Sequence, residues 1–339
     1  MHKAYFLKLY KRACCFLSLI LLIVALTGCD NTSEKADSGK STPIENAAGD
    51  STSLHPSATS DSQSQSQPGS RDNTPHCLVP AADGNVTDGN ELVALDLSHI
   101  ADGYFMAQYL GTNNKVKMQV TGPNDVTYTY NLGTNYDVFP FAAGNGTYVV
   151  GIHENISGTQ YATIFNTNID VTLTNEFSPY LYPNQYVNFN KDSKVVALAS
   201  ELAYPANDDI TVVTNIYNYM ISNISYDYDK ATTVEKGYLP VVDEILDTKK
   251  GICFDFAAAM ASMLRSQRIP TRLEIGYAGE AYHAWISTYL DEIGWVNGII
   301  EFDGENWQLM DPTFAASSSE ENLKDFIGDG SNYVTKYIY

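Results

Sequence analysis

Gly251-Ile252-Cys253-Phe254-Asp255-Phe256-Ala257 is the stretch whose reading decides the fold. Phe254, Ala257, Ala258, Ala261 and Leu264 recur at helical spacing, so the segment reads as a buried, alanine-rich helix with an apolar face that opens at the cysteine. Arg265-Ser266-Gln267-Arg268 sets cations and polar groups at its C-terminal end, and Ile269-Pro270 stops it. A cysteine in the first helical turn meets unpaired backbone N–H groups and the positive end of the macrodipole, here with Lys249 and Lys250 just upstream. That setting favours the thiolate. Free cysteine is also among the most buried residue types, so this stretch alone equally fits an inert core thiol.

At the far N-terminal end, Lys3, Lys8, Lys11 and Arg12 precede an uncharged, mostly apolar run from Ala13 to Leu26. The run is short for a membrane span of about 20 residues and suits the core of a signal peptide. It ends in Leu26-Thr27-Gly28-Cys29, which resembles the lipobox of bacterial lipoproteins. The resemblance implies a signal peptide over 1–28, lipid modification of Cys29, and an extracytoplasmic protein held at the bacterial cell membrane. Residues 29–77 are rich in Ser, Thr, Gln, Asn, Asp, Gly and Pro, with little to bury, and read as a disordered tether. The full chain has 20 basic and 40 acidic residues, and loss of the leader leaves 16 basic ones and a formal charge of −24. Such a balance argues against nucleic acid or an anionic lipid surface as a partner.

Cys14 and Cys15 leave with the leader and Cys29 is acylated on this reading, so Cys77 and Cys253 are the remaining thiols. A disulfide between them would join the end of a tether to a helix start and is not expected. Neither belongs to a CxxC or Cys/His cluster, and no Asp-x-Asp-x-Asp-Gly loop occurs, so no metal or other cofactor is expected.

About 260 residues follow the tether, which points to two domains. Over 78–176 the pattern has period two: Val116, Met118 and Val120 alternate with Lys115, Lys117 and Gln119, and Tyr128 and Tyr130 with Thr127 and Thr129. Gly111-Thr112-Asn113-Asn114, Gly122-Pro123-Asn124-Asp125 and Gly144-Asn145-Gly146 punctuate the runs, so this part reads as an all-β sandwich serving as spacer or binding module. His99 and His153 read there as single surface or turn residues. Over 177–339 the period changes. Helices are expected at Asp192 to Ala203 and Asp209 to Ile224, with Asp192 and Asp208-Asp209 offering N-cap carboxylates, then a short piece from Pro240 to Lys249. Strands are expected at Thr271 to Tyr277, His283 to Leu290, Trp295 to Phe302 and Trp307 to Met310, with Asp303-Gly304 as a hairpin turn. Helices before sheet give an α+β class.

A cysteine nucleophile needs a base and a group that orients the base. Of six histidines only His283 follows the helix, and it shares a strand face with Trp285 and Ser287. Asp291, Asp303 and Asp311 are the downstream carboxylates. Asp291 and Asp303 occupy loop and turn positions that suit aspartate for local reasons. Asp311 ends a strand and precedes Pro312, at a sheet edge.

Gly251-x-Cys253, Ile269-Pro270-x-Arg272, Gly276-Tyr277, His283-Ala284-Trp285, Gly294-Trp295 and Asp311-Pro312-Thr313, in this order, resemble the bacterial transglutaminase-like core over roughly Ala197 to Ala315. The resemblance implies a papain-like arrangement: a central helix carrying Cys253 as nucleophile, and an antiparallel sheet carrying His283 as base and Asp311 as orienter. It also implies attack on carboxamide or peptide bonds of protein or cell-wall peptides through a thioester resolved by an amine or by water. Tyr226 is the candidate upstream aromatic for the oxyanion. The reading from another class is a non-catalytic surface module that binds a partner through the sandwich and a degenerate enzyme fold.

Overall fold

Alternation of buried and exposed side chains builds the first half of the described chain. The computed structural model describes residues 67–297, 299–302, 307–310 and 333–339; the leader, Cys29, the tether up to residue 66, Asp303 and Asp311 lie outside them. Eight strands come first: β1 (Thr87–Gly89), β2 (Val93–Asp96), β3 (Tyr104–Tyr109), β4 (Val116–Thr121), β5 (Thr127–Asn131), β6 (Asp137–Pro140), β7 (Gly146–Ser157) and β8 (Gln160–Val171). They form two four-stranded antiparallel sheets, ordered β1-β2-β3-β6 and β5-β4-β7-β8. Val116, Met118 and Val120 are buried along β4, as are Tyr128 and Tyr130 along β5, while Gln119, Thr127 and Thr129 face outward. The period-two reading is what these strands display.

Five helices follow: α1 (Lys194–Ala203), α2 (Asp209–Asn223), the short α3 (Tyr228–Thr233) and α4 (Glu244–Thr248), and α5 (Cys253–Ser266). Asp208 caps α2 by accepting from the Thr211 N–H at 2.7 Å. Asp192 does not cap α1. Ser193 stands at that N-cap without a side-chain bond to the helix, its Oγ accepting from the Asn190 N–H instead, and the Val195 N–H donates to Asp243 at 3.0 Å. A carboxylate distant in sequence has replaced the local one, which no local pattern signals.

Beyond α5 come β11 (Thr271–Ala278), β12 (Ala281–Leu290), β13 (Gly294–Asn297) and, at the C-terminal end, β16 (Tyr333–Ile338), in an antiparallel sheet ordered β13-β12-β11-β16. β14 (Ile299–Phe302) and β15 (Trp307–Met310) pair with each other, and the two-residue strands β9 (Ser225–Tyr226) and β10 (Lys250–Gly251) pair in parallel. Sandwich, then helices with an antiparallel sheet, is the expected α+β order.

α5 lies at the centre, and every residue from Asp255 to Ser266 is buried. A buried helix with an apolar face and a polar C-terminal end was expected. Enclosure on all sides is what Ala257, Ala258, Ala259 and Ala261 permit, because small side chains let neighbouring elements approach closely. Arg265 is therefore no solvated helix-end cation. Fully buried, it donates from Nε to the Thr271 carbonyl (2.9 Å), from Nη1 to Tyr182 (2.7 Å) and from Nη2 to Tyr339 (2.8 Å). Desolvation lowers its pKa to about 9.

The expected tether differs at its end. Residues 67–77 form a hydrogen-bonded strap: Gly69 and Arg71 N–H groups donate to the carbonyls of Tyr204 and Ala206, and His76 N–H to that of Ser266. The Arg71 side chain joins Asp209 and the Gln267 carbonyl, and Asn73 reaches Ser200. Main-chain partners of this kind leave no mark in composition. The described residues from 67 onward belong to one compact unit.

His99 bridges Asp102 through Nδ1 (2.8 Å) and Asp83 through Nε2 (3.0 Å) and stacks on Tyr104. The hydrogen bond to Asp102 chiefly raises its pKa above the usual histidine value, burial opposes, and Asp83 adds to the rise. A raised folded pKa gives stability that is fully present below the unfolded value and is lost as pH rises through the folded one. His99→Gln should therefore lower the melting temperature at about pH 5.5 and have little effect at about pH 8.5. Equal losses at both pH values in thermal denaturation would contradict the pairing.

Candidate active site

The local fold at the cysteine begins with a glycine. Gly251 pairs with Tyr226 across the β9–β10 ladder, and a Cβ at 251 would come within 2.7 Å of Ile245 Cδ1 and 2.9 Å of Asp255 Cβ. The flanking bonds run from Ser225 N–H to the Lys249 carbonyl (3.0 Å) and from Asp227 N–H to the Gly251 carbonyl (2.9 Å). The chain then turns into α5, with Ile252 at the N-cap and Cys253 as the first helical residue. The Cys253 N–H thus belongs to the turn whose donors precede the helical ladder. Ile252 has no side-chain acceptor to offer. Its own N–H is taken by Asp255 Oδ2 at 2.9 Å, which is half of a capping box.

Asp255 is buried and carries more than this one bond. Lys230 Nζ lies 2.8 Å from Oδ2 and the Tyr238 hydroxyl donates to Oδ1 at 2.6 Å, while Lys230 also donates to the Tyr238 oxygen at 2.8 Å and sits 4.6 Å from its ring centre. Burial tends to lower the Lys230 pKa, but hydrogen bonds to Asp255 and Tyr238 outweigh it and the net direction is upward. Tyr238 is pushed up to about 12, by burial first and by the bond to Asp255 second.

His283 is 5% exposed and lies on β12 opposite Gly276 of β11. Its ring lies nearly parallel to that of Trp285, with centroids 6.1 Å apart, so the two side chains share a strand face as the alternation implied. Tyr333 of β16 packs edge-on against both. Gly276 is required here, since a Cβ would run into the Val334 carbonyl and meet the Trp285 ring at 3.0 Å.

Cys253 and His283 line one cavity of about 490 Å³. Tyr226 lines it too, with burial first and the neighbouring Cys253 second raising its pKa to about 12. The structure thus brings together three of the residues singled out from sequence. Asp311 lies outside the described residues. Asp291 is exposed in the turn after β12, at the opposite end of that strand from His283, about 25 Å away along it at the usual rise per residue. The sequence reading missed most of the cavity wall. Tyr186, Tyr337 and Tyr339 line it and connect it to the sandwich, where Thr129 of β5 also reaches the surface. Tyr186 stacks against Tyr339 with centroids 4.1 Å apart and against Phe254 of α5 at 5.6 Å. A cluster of tyrosines near the C-terminal end was the one available signal.

Residues 196–298 match the family model described as the transglutaminase-like superfamily, so the chain carries a transglutaminase-like core. A UPF0252 protein of Methanocaldococcus jannaschii is 27% identical over 143 residues, covering 39% of this chain and 39% of its own length. A protein-glutamine gamma-glutamyltransferase of Pseudomonas aeruginosa is 29% identical over 110 residues, covering 28% of this chain and 15% of its own. The chain therefore spans less than half the length of these curated relatives. Among solved structures, the periplasmic domain of TgpA from Pseudomonas aeruginosa is similar at 16% identity and a TM-score of 0.31, over 61% of this chain and 92% of that one.

Cys77 and Cys253 are both free and half-buried, and burial raises the Cys77 pKa above the ordinary thiol value. With less thiolate at neutral pH, Cys77 should react slowly. Iodoacetamide at about pH 7 should label Cys253 at least about tenfold faster than Cys77, read by peptide mass spectrometry. Faster labelling of Cys77 would contradict an activated helix-mouth thiol.

Proposed function

We propose that the protein is a thiol enzyme of the transglutaminase-like type, with Cys253 as nucleophile, His283 as general base and acid, and Asp311 orienting the imidazole. The single observation that carries this reading is the shared cavity: a cysteine at the first position of a buried helix and a buried histidine open onto the same space. In the reaction, His283 takes the Cys253 proton and the thiolate attacks a carboxamide or peptide carbonyl carbon. On this reading the Cys253 N–H and the Tyr226 hydroxyl, both at the cavity, donate to the developing oxyanion. The tetrahedral intermediate collapses with cleavage of the C–N bond, His283 returns the proton to the departing ammonia or amine, and a thioester on Cys253 remains. Water resolves the thioester to an acid, or an amine to a new amide, and Cys253 is regenerated.

The substrates of this reading are protein or cell-wall peptides outside the cytoplasm, reached from a lipid anchor on Cys29. The lipobox-like segment supports the anchor; Cys29→Ala should move the protein from the membrane fraction to the soluble fraction of cells, and retention in the membrane would reject it. For the chemistry, glutamine-containing peptides incubated with the protein should show mass changes of deamidation, cross-linking or cleavage. Cys253→Ala and His283→Ala should each cut that turnover by about 10³-fold or more with the fold retained by circular dichroism. Undiminished turnover in either variant would overturn the assigned roles.

A further inference from the structure

We propose that the buried Asp255 carboxylate is a positioning residue that locks the nucleophile's helical turn to one wall of the substrate cavity, with Lys230 and Tyr238 as the other parts of the lock. This rests on the reading of Cys253 as nucleophile and extends it to what fixes the shape of the site.

One carboxylate holds three donors from two places in the chain. Its Oδ2 takes the Ile252 N–H, directly before Cys253, and the Lys230 ammonium; its Oδ1 takes the Tyr238 hydroxyl. Lys230 belongs to α3, whose start is fixed by Asp227 accepting from the Lys230 N–H at 2.9 Å, and Asp227 is itself hydrogen-bonded to Gly251. The segment between Lys230 and Tyr238 supplies Ala231, Val234, Glu235, Gly237 and Tyr238 to the cavity lining. Tyr238 also meets Phe254 edge-on, with centroids 6.3 Å apart. Among the described residues the wall has few other tertiary contacts, since Thr232, Thr233, Glu235, Lys236 and Gly237 are exposed. Its place relative to Cys253 is set by the Asp255 bonds.

The arrangement separates two functions of the site. Removing the Lys230 ammonium takes from Asp255 its one charged partner among the described residues and leaves the wall held by the Tyr238 hydroxyl, while the N-cap bond to Ile252 stays. A reagent that needs the wall to bind should suffer, and one that only needs the thiolate should not.

The test measures inactivation of the full chain by two reagents that alkylate Cys253, iodoacetamide and a benzyloxycarbonyl-dipeptide chloromethyl ketone. Lys230→Met should raise the half-saturation concentration of the peptide reagent about fivefold or more, with its limiting rate within about twofold, and Lys230→Arg should restore it. Tyr238→Phe should show a smaller change in the same direction. Equal parameters for Lys230→Met and wild type, or no rescue by arginine, would overturn the lock. If Lys230→Met fails to fold by circular dichroism, Tyr238→Phe carries the same comparison, and an unchanged half-saturation concentration there overturns the lock. Slow wild-type alkylation of Cys253 by both reagents would instead remove the nucleophile reading on which the lock rests.

Discussion

A helix enclosed on every side must have both of its ends satisfied by protein. α5 is such a helix, and two buried charged groups of opposite sign attend its ends. Asp255 takes the Ile252 N–H at the N-terminal turn, where the helix dipole favours an anion. Arg265 stands in the last turn, where a cation is favoured, and donates to carbonyls of Thr271, Tyr182 and Tyr339. Each end is thereby joined to a different neighbourhood: the cavity wall at the front, and the β11 and C-terminal strand region at the back. Removing one partner of a buried charge typically costs several kcal/mol, because the remaining group stays desolvated. Cys253 thus sits at the open end of an element that is held at both ends.

The rest of the site is built outward from that helix. Gly251 allows the chain to pass between Ile245 and Asp255 on its way into α5, and the β9–β10 ladder brings Tyr226 alongside. The β11–β12 hairpin presents His283 to the same space, at the one place where Gly276 lets Val334 and Trp285 close in. The sandwich is part of this construction. Tyr128 and Tyr130 of β5 meet Tyr339 edge-on, Tyr186 stacks on Tyr339, and Tyr186 in turn touches the ring of Phe254 beside the cysteine. A continuous aromatic layer therefore runs from the β-sandwich to the first turn of α5.

How much of this was legible in the sequence follows from the range of each interaction. Period-two strands, the alanine-rich helix and its stop at Pro270 are local patterns, and they appear where expected. Cys253 and His283 could be paired because the C-terminal half holds one histidine, and the resemblance to the transglutaminase-like core implied that their helix and strand meet. Asp208 as a cap was readable for the same local reason, whereas Asp243 capping α1 was not, since 48 residues separate it from Val195. Lys230, Tyr238 and Asp255 likewise converge only through tertiary contact. The strap at 67–77 was misjudged because its polar composition suggested nothing to bury, while its bonds run to main-chain carbonyls at helix ends. The burial of Arg265 was hidden by its neighbours, which read as an ordinary polar helix end.

The most direct test of the account is to look for the covalent intermediate itself. Intact-protein mass spectrometry after rapid acid quench with a glutamine-containing peptide should show an adduct equal to the peptide less ammonia, mapping to Cys253 and absent from Cys253→Ala. An adduct mapping to another residue, or none while the peptide is nonetheless converted, would contradict a thioester mechanism at the mouth of α5.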